Sequence, residues 1–597
     1  MTSELGDAMA TGASLGRAVQ DAAVSDILGG PRADVRAARG TRLRTRHWRT
    51  EALLRMFENV LEVGENPAEL VVYASLGKAA RSWPHAKAIV RALLDLEEGE
   101  TLVLQSGAPV GVIATHAGAP MVVSAVNNTV GRWSGSDRFY ERADRGETMW
   151  GGLTAAAWQY IGRQGVLQGT YELLRIIAER HLGGATPSNL AGRWLLTAGL
   201  GGMGSSQPIS ARMLGLSSIT VEVDGDKIRR LVDAGGLDVA CERLDDALQQ
   251  MNAAHQQGRV LAIGLRGNAC DVFEALVTRS VTADVVTDQT AAHDARYGYV
   301  PSGYTIQRWM AERESEPRAV ESAARASIAR QVGAMLTMCD RGAIAFENGN
   351  NLCVQAIEHL GESASSTIMR IPGFMEAYLR PLFCRGIGPF RWVLLSGDER
   401  DLALVDDLVS AMFPARPEVA DWITLARRYV PVQGLPARSC WLGHGERSAL
   451  ALAVNDLVAD ATITAPVLFS RDHLDAAGMT NPRIGTEAMR DGSDGVADWP
   501  LLDSMLLAAC GADLVAVHSG GGGYSGWMQS AGLSVVADGT AAAGDRLKRA
   551  LDADTGLGVL RHLNAGYGEA LEAAERGGET RAAPLAWFDV KKEDQDA

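Results

Sequence analysis

The run Gly199-Leu200-Gly201-Gly202-Met203-Gly204 constrains this chain more than any other stretch. It has the spacing G-x-G-x-x-G, follows an apolar run from Trp194 to Ala198 that reads as a buried strand, and precedes Pro208 to Leu214, which read as a helix. Strand, glycine turn and helix together open a dinucleotide-binding βαβ unit. The first glycine makes the tight turn, the second lets the main chain approach a pyrophosphate, and the third lets helix and strand pack closely. The free N–H groups at the helix start face the anion. Such a unit calls for an acid about twenty residues further on, at the end of the second strand, to bind the adenosine ribose hydroxyls. Ser218 to Val223 supply that strand and Glu222 the acid. A carboxylate there repels a 2′-phosphate, so NAD is expected rather than NADP.

Further strands at Leu261 to Leu265 and Asp284 to Thr287 follow helical segments, the alternation of parallel βαβ units. Residues 165–375 therefore read as a Rossmann-like, doubly wound domain of the α/β class. Upstream, Leu53, Leu54, Met56, Phe57, Val60 and Leu61 recur at helical spacing. Leu70 to Tyr73 form a short strand, and Thr101 to Leu104 pair with Val110 to Ala114 around a turn at Ser106-Gly107. The expected organisation is a loosely ordered extension over 1–35, an N-terminal domain over 36–164, the dinucleotide domain over 165–375, and a C-terminal domain over 376–597. The N- and C-terminal segments are expected to flank the dinucleotide domain as a mixed α/β core.

Composition narrows the function. The formal net charge of −15 argues against a nucleic-acid binder, and no run of about 18 apolar residues suggests a membrane span. Residues 1 to about 30 lack the basic start and apolar core of a secretion signal. Seven cysteines lie without CxxC spacing, so neither a zinc site nor a disulfide framework is expected, and a reducing cytoplasm fits. The 66 glycines follow no Gly-X-Y period, which leaves them to turns and close approaches.

Beyond the glycine loop, long blocks resemble the urocanase (urocanate hydratase) family. They include Asn66-Pro67 through Tyr73, Gly77 to Arg81, Thr197 to Gly204, Thr287 to Asp294, Arg380 to Trp392, Gln433 to Arg438 with Cys440-Trp441, Arg471 to Asp475, and Met489 to Asp494 with Asp498-Trp499-Pro500. The resemblance covers nearly everything after about residue 35. It implies the urocanase fold and a hydro-lyase in which NAD⁺ accepts no hydride. The cofactor is instead a tightly held electrophile that forms a reversible adduct with the substrate imidazole, so that water adds to the ring and an imidazolone propionate results. A homodimer is implied as well.

Carried over by position, the cofactor residues are Gly199, Gly201, Gly202, Met203, Gly204, Glu222, Lys227, Asn268, Ala269, Gln289, Thr290, Ala291, Ala292, His293, Tyr299, Val300 and Gly522. Lys227 replaces an arginine, keeping the charge and losing the planar fork. Tyr73, Thr154 and Arg391 match substrate positions, with Arg391 the expected carboxylate clamp and Arg483 a second candidate cation. Asp472 matches a proton-transferring carboxylate, with Asp475 as an alternative. Cys440 matches the cysteine marked as the active-site residue, its role as nucleophile or packing group open. Tyr73 is also a candidate for the chemistry itself.

The departures from the family pattern gather around this site. Tyr-Gly-Gly becomes Tyr73-Ala74-Ser75, Tyr-Gly-Gln becomes Trp150-Gly151-Gly152, and Asp-Tyr-Gly-Asn-Asn becomes Glu347-Asn348-Gly349-Asn350-Asn351, with Cys353 in place of a following arginine. His-His-Gly-Gly-Gly becomes His518-Ser519-Gly520-Gly521-Gly522, and Val-Gly-Met-Gly-Tyr/Phe becomes Gly523-Tyr524-Ser525-Gly526-Trp527. The losses at Gly152, Asn348 and Ser519 remove volume or hydrogen-bonding groups. A roomier pocket with its carboxylate clamp kept points to a ring-substituted urocanate, such as thiourocanate or S-methyl thiourocanate, lined in part by Gly152 and Asn348. Urocanate itself is the alternative, since a ring site that has lost its polar partners binds the plain ring less well. An NAD-dependent dehydrogenase and a nonenzymatic NAD-binding regulator are further alternatives.

Overall fold

The computed structural model describes residues 21–29, 34–471, 473, 478–483 and 485–576. Of the extension expected to be loosely ordered, residues 21–28 form a helix whose Val24 and Leu28 are buried in a core cluster. None of the helices among the described residues is long and apolar enough to cross a membrane.

Two sheets organise the chain. The first has six strands, all parallel, in the spatial order Ile344–Ala345, Val285–Val286, Trp194–Ala198, Ser217–Glu222, Ala262–Arg266, Val239–Cys241. Trp194–Ala198 and Ser217–Glu222 are buried along their whole length, which explains their unbroken apolar and small-residue runs. The chain leaves Trp194–Ala198 toward one side and later returns on its other side with Val285–Val286. That reversal is a topological switch point, and in such sheets ligands bind outside the carboxyl ends of the strands there. Local chemistry sets the connecting helices. Asp224 caps Gly225–Asp233, Asn268 caps Ala269–Thr278, and Gly215, at φ +89°, closes Ser206–Leu214.

The second sheet has nine strands and is mixed. Its main path runs Ala437–Leu442, Gly388–Leu394, Val467–Arg471, Gln529–Ala537, Leu514–His518, Val122–Val126, Glu100–Gln105, Ala108–Ala114, with Met479–Thr480 pairing to Gln529–Ala537. Leu514–His518 pairs in parallel with Val122–Val126, so segments from before and after the Rossmann-like unit share one sheet. The hairpin expected around Ser106-Gly107 is present, Glu100–Gln105 against Ala108–Ala114. The mixed sheet thereby holds residues of both flanking segments against the open end of the parallel one.

Candidate active site

A cavity of about 1050 Å³ lies where the two units meet. On one side it receives the carboxyl ends of five parallel strands, through Gly199–Ser205, Glu222–Asp224, Gly267–Ala269, Gln289–Ala291 and Asn348–Asn350. On the other stand Tyr73, Gly152–Thr154, Tyr160, Arg391, Gln433, Met479, Tyr524 and Met528. Pockets for one small ligand run to about 1,000 Å³, so this space suits an extended ligand together with a small one.

The glycine loop is shaped by close approach. Gly199 has φ +89°, and a β-carbon there would come 2.5 Å from the Gln289 carbonyl oxygen. A β-carbon on Gly204 would run into the Gly199 carbonyl. Gly201, by contrast, faces the cavity, and a β-carbon there would meet nothing nearer than the Glu65 carboxylate at 3.9 Å. Main chain is thus exposed to the cavity at the position where a pyrophosphate is cradled in such folds, a fit to the dinucleotide that the motif implies. Glu222, at the end of its strand, accepts the N–H groups of Leu200 at 2.8 Å and Asp224 at 3.0 Å. Each carboxylate oxygen keeps a further lone pair for a ribose hydroxyl.

Next to the cradle, Asn348 donates to Gln289 Oε1 at 2.6 Å. Beneath it, buried Asp288 accepts from Thr290, Gln331 and Asn350, and burial pushes its pKa up. Asn268 ties its helix start to the Val300 carbonyl at 2.9 Å. Lys227, Ala269, Ala291, His293, Tyr299, Gly202 and Met203 also border the cavity.

At the far end Arg391, 1% exposed, projects from Gly388–Leu394 and donates to the carbonyls of Gln159 at 3.1 Å and Gly165 at 3.3 Å. Burial lowers its pKa to about 10, the neighbouring Tyr73 and Tyr160 opposing that fall, so the guanidinium stays charged at neutral pH. Tyr73 stacks on Tyr160, centroids 4.6 Å apart and planes 3° off parallel. Its oxygen accepts three donors: the N–H groups of Leu153 and Thr154, both at 3.1 Å, and the Thr154 hydroxyl at 3.2 Å. Behind Arg391, Gln159 donates to the Leu533 carbonyl and Ser534 Oγ, so its own oxygen faces His473 Nε2 at 2.5 Å. Gln159 therefore fixes the proton of His473 on Nε2, and His473 Nδ1 accepts from His518 Nε2. Burial drives both imidazoles down, His518 to about 3, so the pair is neutral.

Four of the sequence expectations land elsewhere. Cys440 pairs directly opposite Phe390 on antiparallel strands, so the two point to one face while Arg391 points to the other. Its thiol is buried in an apolar cluster with Phe390 and Trp392, and burial pushes its pKa up, away from a thiolate. Arg483 is part-exposed, paired with Glu362 at 3.1 Å, and does not border the cavity. Ala292 is fully buried in the core of the Rossmann-like unit. Gly522 lies against Trp150, where a β-carbon would run into the indole, so close packing within the fold accounts for this glycine. Asp472 and Asp475 lie outside the described residues.

Further groups complete the site. Glu65 accepts the Gly202 N–H at 3.0 Å, and Arg163, Arg230, Arg313 and Gln433 all reach the cavity. Gln433 opens one of the family-like blocks, whereas Arg163, Arg230 and Arg313 belong to no motif and reach the cavity from a helix cap and two helices. Glu347 and Cys353 form a buried pair next to Asn348. The Cys353 thiol donates to the Glu347 carboxylate, and burial raises Glu347 to about 7. Ala74 and Ser75 hold the left-handed backbone, at φ 53° and 68°, that a Gly-Gly pair would adopt without strain.

A Rossmann-like sheet opening at its switch point onto a charged, aromatic pocket of a second sheet is the arrangement of an α/β enzyme, and comparison with known families makes the class specific. The chain belongs to the urocanase family: the urocanase N-terminal domain matches residues 35–159, the urocanase Rossmann-like domain 162–378, and the urocanase C-terminal domain 381–576. It is 47% identical over 541 residues to the S-methyl thiourocanate hydratase of Variovorax sp. (strain JCM 16519 / RA8), covering 90% of this chain and 96% of that protein.

Proposed function

We propose that this chain is an NAD⁺-dependent hydratase of a urocanate carrying a sulfur substituent on its imidazole, with S-methyl thiourocanate the preferred substrate. The observation that carries this reading is a single cavity in which the glycine loop of the parallel sheet faces buried Arg391 of the mixed sheet. The long identity to a protein named S-methyl thiourocanate hydratase supports the choice of substituent, as do the small residues at 152 and 348.

In this reading Gly199 to Gly204 and Glu222 hold the dinucleotide, which supplies an electron-withdrawing pyridinium to the imidazole. Arg391 takes the substrate carboxylate through its guanidinium, which the Gln159 and Gly165 carbonyls hold at the cavity beside Tyr73 and Tyr160. Tyr73 flanks the ring. Its Oη lies within reach of the Leu153 and Thr154 N–H groups and the Thr154 hydroxyl, and it holds a proton at Oη for the substrate or the attacking water. The neutral His473–His518 pair fixes Gln159, and with it one of the carbonyls that position Arg391. Asp472, with Asp475 as the alternative, remains the proposed proton-transferring carboxylate.

The deciding experiment follows loss of acrylate absorbance with urocanate, thiourocanate and S-methyl thiourocanate, on protein whose bound nucleotide has been measured. The reading requires the largest kcat/KM with the S-methyl compound and no accumulation of NADH. Turnover of urocanate alone refutes the substituent, and NADH production refutes the hydratase. Light scattering tests the homodimer that family membership implies.

A further inference from the structure

Two aromatic positions on facing loops depart from the urocanase pattern in opposite senses. By the resemblance to the urocanase pattern, Asn348 replaces a tyrosine and Tyr524 a glycine. The structure brings the two loops together. Tyr524 borders the cavity, stacks on His293 with centroids 4.7 Å apart and planes 8° off parallel, and donates a long hydrogen bond, 3.4 Å, to the carbonyl of Gly349. Asn348, one residue earlier, turns its amide to Gln289. Phe374 pins the same loop from the other side: Gly349 has φ +73°, and a β-carbon there would lie 2.9 Å from the Phe374 ring. An aromatic side chain lost from one loop is thus regained from the loop opposite, and the vacancy inferred from Asn348 is partly refilled from a new direction.

We infer that Tyr524 and Asn348 act as a pair that sets which ring substituent the pocket accepts, with Tyr524 the specificity-determining residue. This inference rests on the substrate proposed above. With a carboxylate at Arg391, an imidazole acrylate lays its ring beside Tyr73. Gly152, whose β-carbon would sit 3.5 Å from Tyr73 Cε1, stands next in line, and Tyr524 borders the same cavity as Tyr73. The far edge of the ring then faces Tyr524 and the side chains that share its apolar cluster and the cavity: Leu153, Phe374, Met375, Met479 and Met528. That wall is apolar and polarizable. It suits a methyl thioether, which needs contact with soft surface, better than a thione or thiolate sulfur, which needs donors. A tyrosine at 348 would enter the cavity that Tyr524 already lines from the facing loop, where the Tyr524 hydroxyl reaches the Gly349 carbonyl.

The test is a double-mutant cycle on the holoenzyme with Tyr524→Gly, Asn348→Tyr and both together, alongside Tyr524→Phe, each with its bound NAD measured. Tyr524→Gly is expected to shift the kcat/KM ratio of S-methyl thiourocanate to urocanate toward urocanate by about tenfold or more, the scale on which shape alone discriminates a methyl-sized group. Asn348→Tyr alone should lose activity with both substrates by overpacking. The double variant should recover at least about tenfold of that loss with urocanate, a coupling that two independent sites would not give. Tyr524→Phe should keep the ratio within about threefold, because shape and not the long hydrogen bond sets it. An unchanged ratio in Tyr524→Gly, or additive effects with urocanate, overturns the inference. Failure of the unmodified enzyme to hydrate S-methyl thiourocanate refutes the proposed substrate, while the coupling read with urocanate still decides the pairing of 524 with 348.

Discussion

Glu347→Gln isolates the energetic consequence of one replacement near the site. By the resemblance to the family pattern, Cys353 replaces an arginine; the buried carboxylate at 347 meets the Cys353 thiol and the main chain of Asn351 and Cys353, and its Oε1 has no hydrogen-bond partner among the described residues. Burial raises its pKa from 4.5 to about 7. A carboxyl whose folded value lies above its unfolded one contributes stability that is fully present below the unfolded pKa and is lost as pH rises through the folded pKa. The full rise corresponds to about 3 kcal/mol, of which about 2.5 kcal/mol falls between about pH 5 and about pH 8. His293 and His518 act in the opposite sense over part of this range. Their folded values, about 4 and about 3 against 6.5, make stability rise with pH until the unfolded imidazole has lost its proton. The pH curve of the unmodified protein therefore mixes opposing slopes, and only its difference from Glu347→Gln is diagnostic. Glutamine keeps an acceptor for the Cys353 thiol, and its unpartnered amide adds an offset of about 1–3 kcal/mol that does not vary with pH. Urea unfolding across the series should show the variant gaining about 2.5 kcal/mol on the unmodified protein from about pH 5 to about pH 8. A constant difference refutes the assignment of Glu347 as a carboxyl that holds its proton near neutrality.

Other outcomes follow from the same geometry. Ala74→Gly or Ser75→Gly should stabilise the protein by about 0.5–1 kcal/mol each, the relief of a left-handed non-glycine residue less the entropy glycine adds to the unfolded chain; a lowered urea midpoint would count against strain there. Arg391→Gln should raise KM by about 10²-fold or more while the protein retains its nucleotide, because a buried charge partner of the substrate is removed and the glycine loop is untouched. Equal loss of bound NAD would place Arg391 in a general structural role. Cys440→Ala should cost about 1–2 kcal/mol of stability yet leave kcat within about threefold, since the thiol lies on the strand face away from the cavity; a collapse of kcat in a folded variant would restore Cys440 to the chemistry.

Local patterns in the sequence determined the Rossmann-like unit. An unbroken apolar strand, a glycine turn and an acid at the end of the next strand are consequences of adjacent residues, and Trp194–Ala198, Gly199–Gly204 and Glu222 stand where the spacing placed them. The hairpin around Ser106-Gly107 was legible for the same reason. The direction in which Cys440 points was not. A catalytic block keeps its letters whichever face each one takes, and only the register with Gly388–Leu394 sends Arg391 to the cavity and Cys440 to the core. Likewise the roll of small replacements at 152, 348 and 519 suggested a vacancy, while Tyr524 returns an aromatic ring to it from a loop 176 residues after Asn348. Residues far apart in the chain meet only once two sheets have packed. The sequence by itself therefore determined which cofactor fold this chain builds, and the tertiary structure alone decided which side chains share the space in front of it.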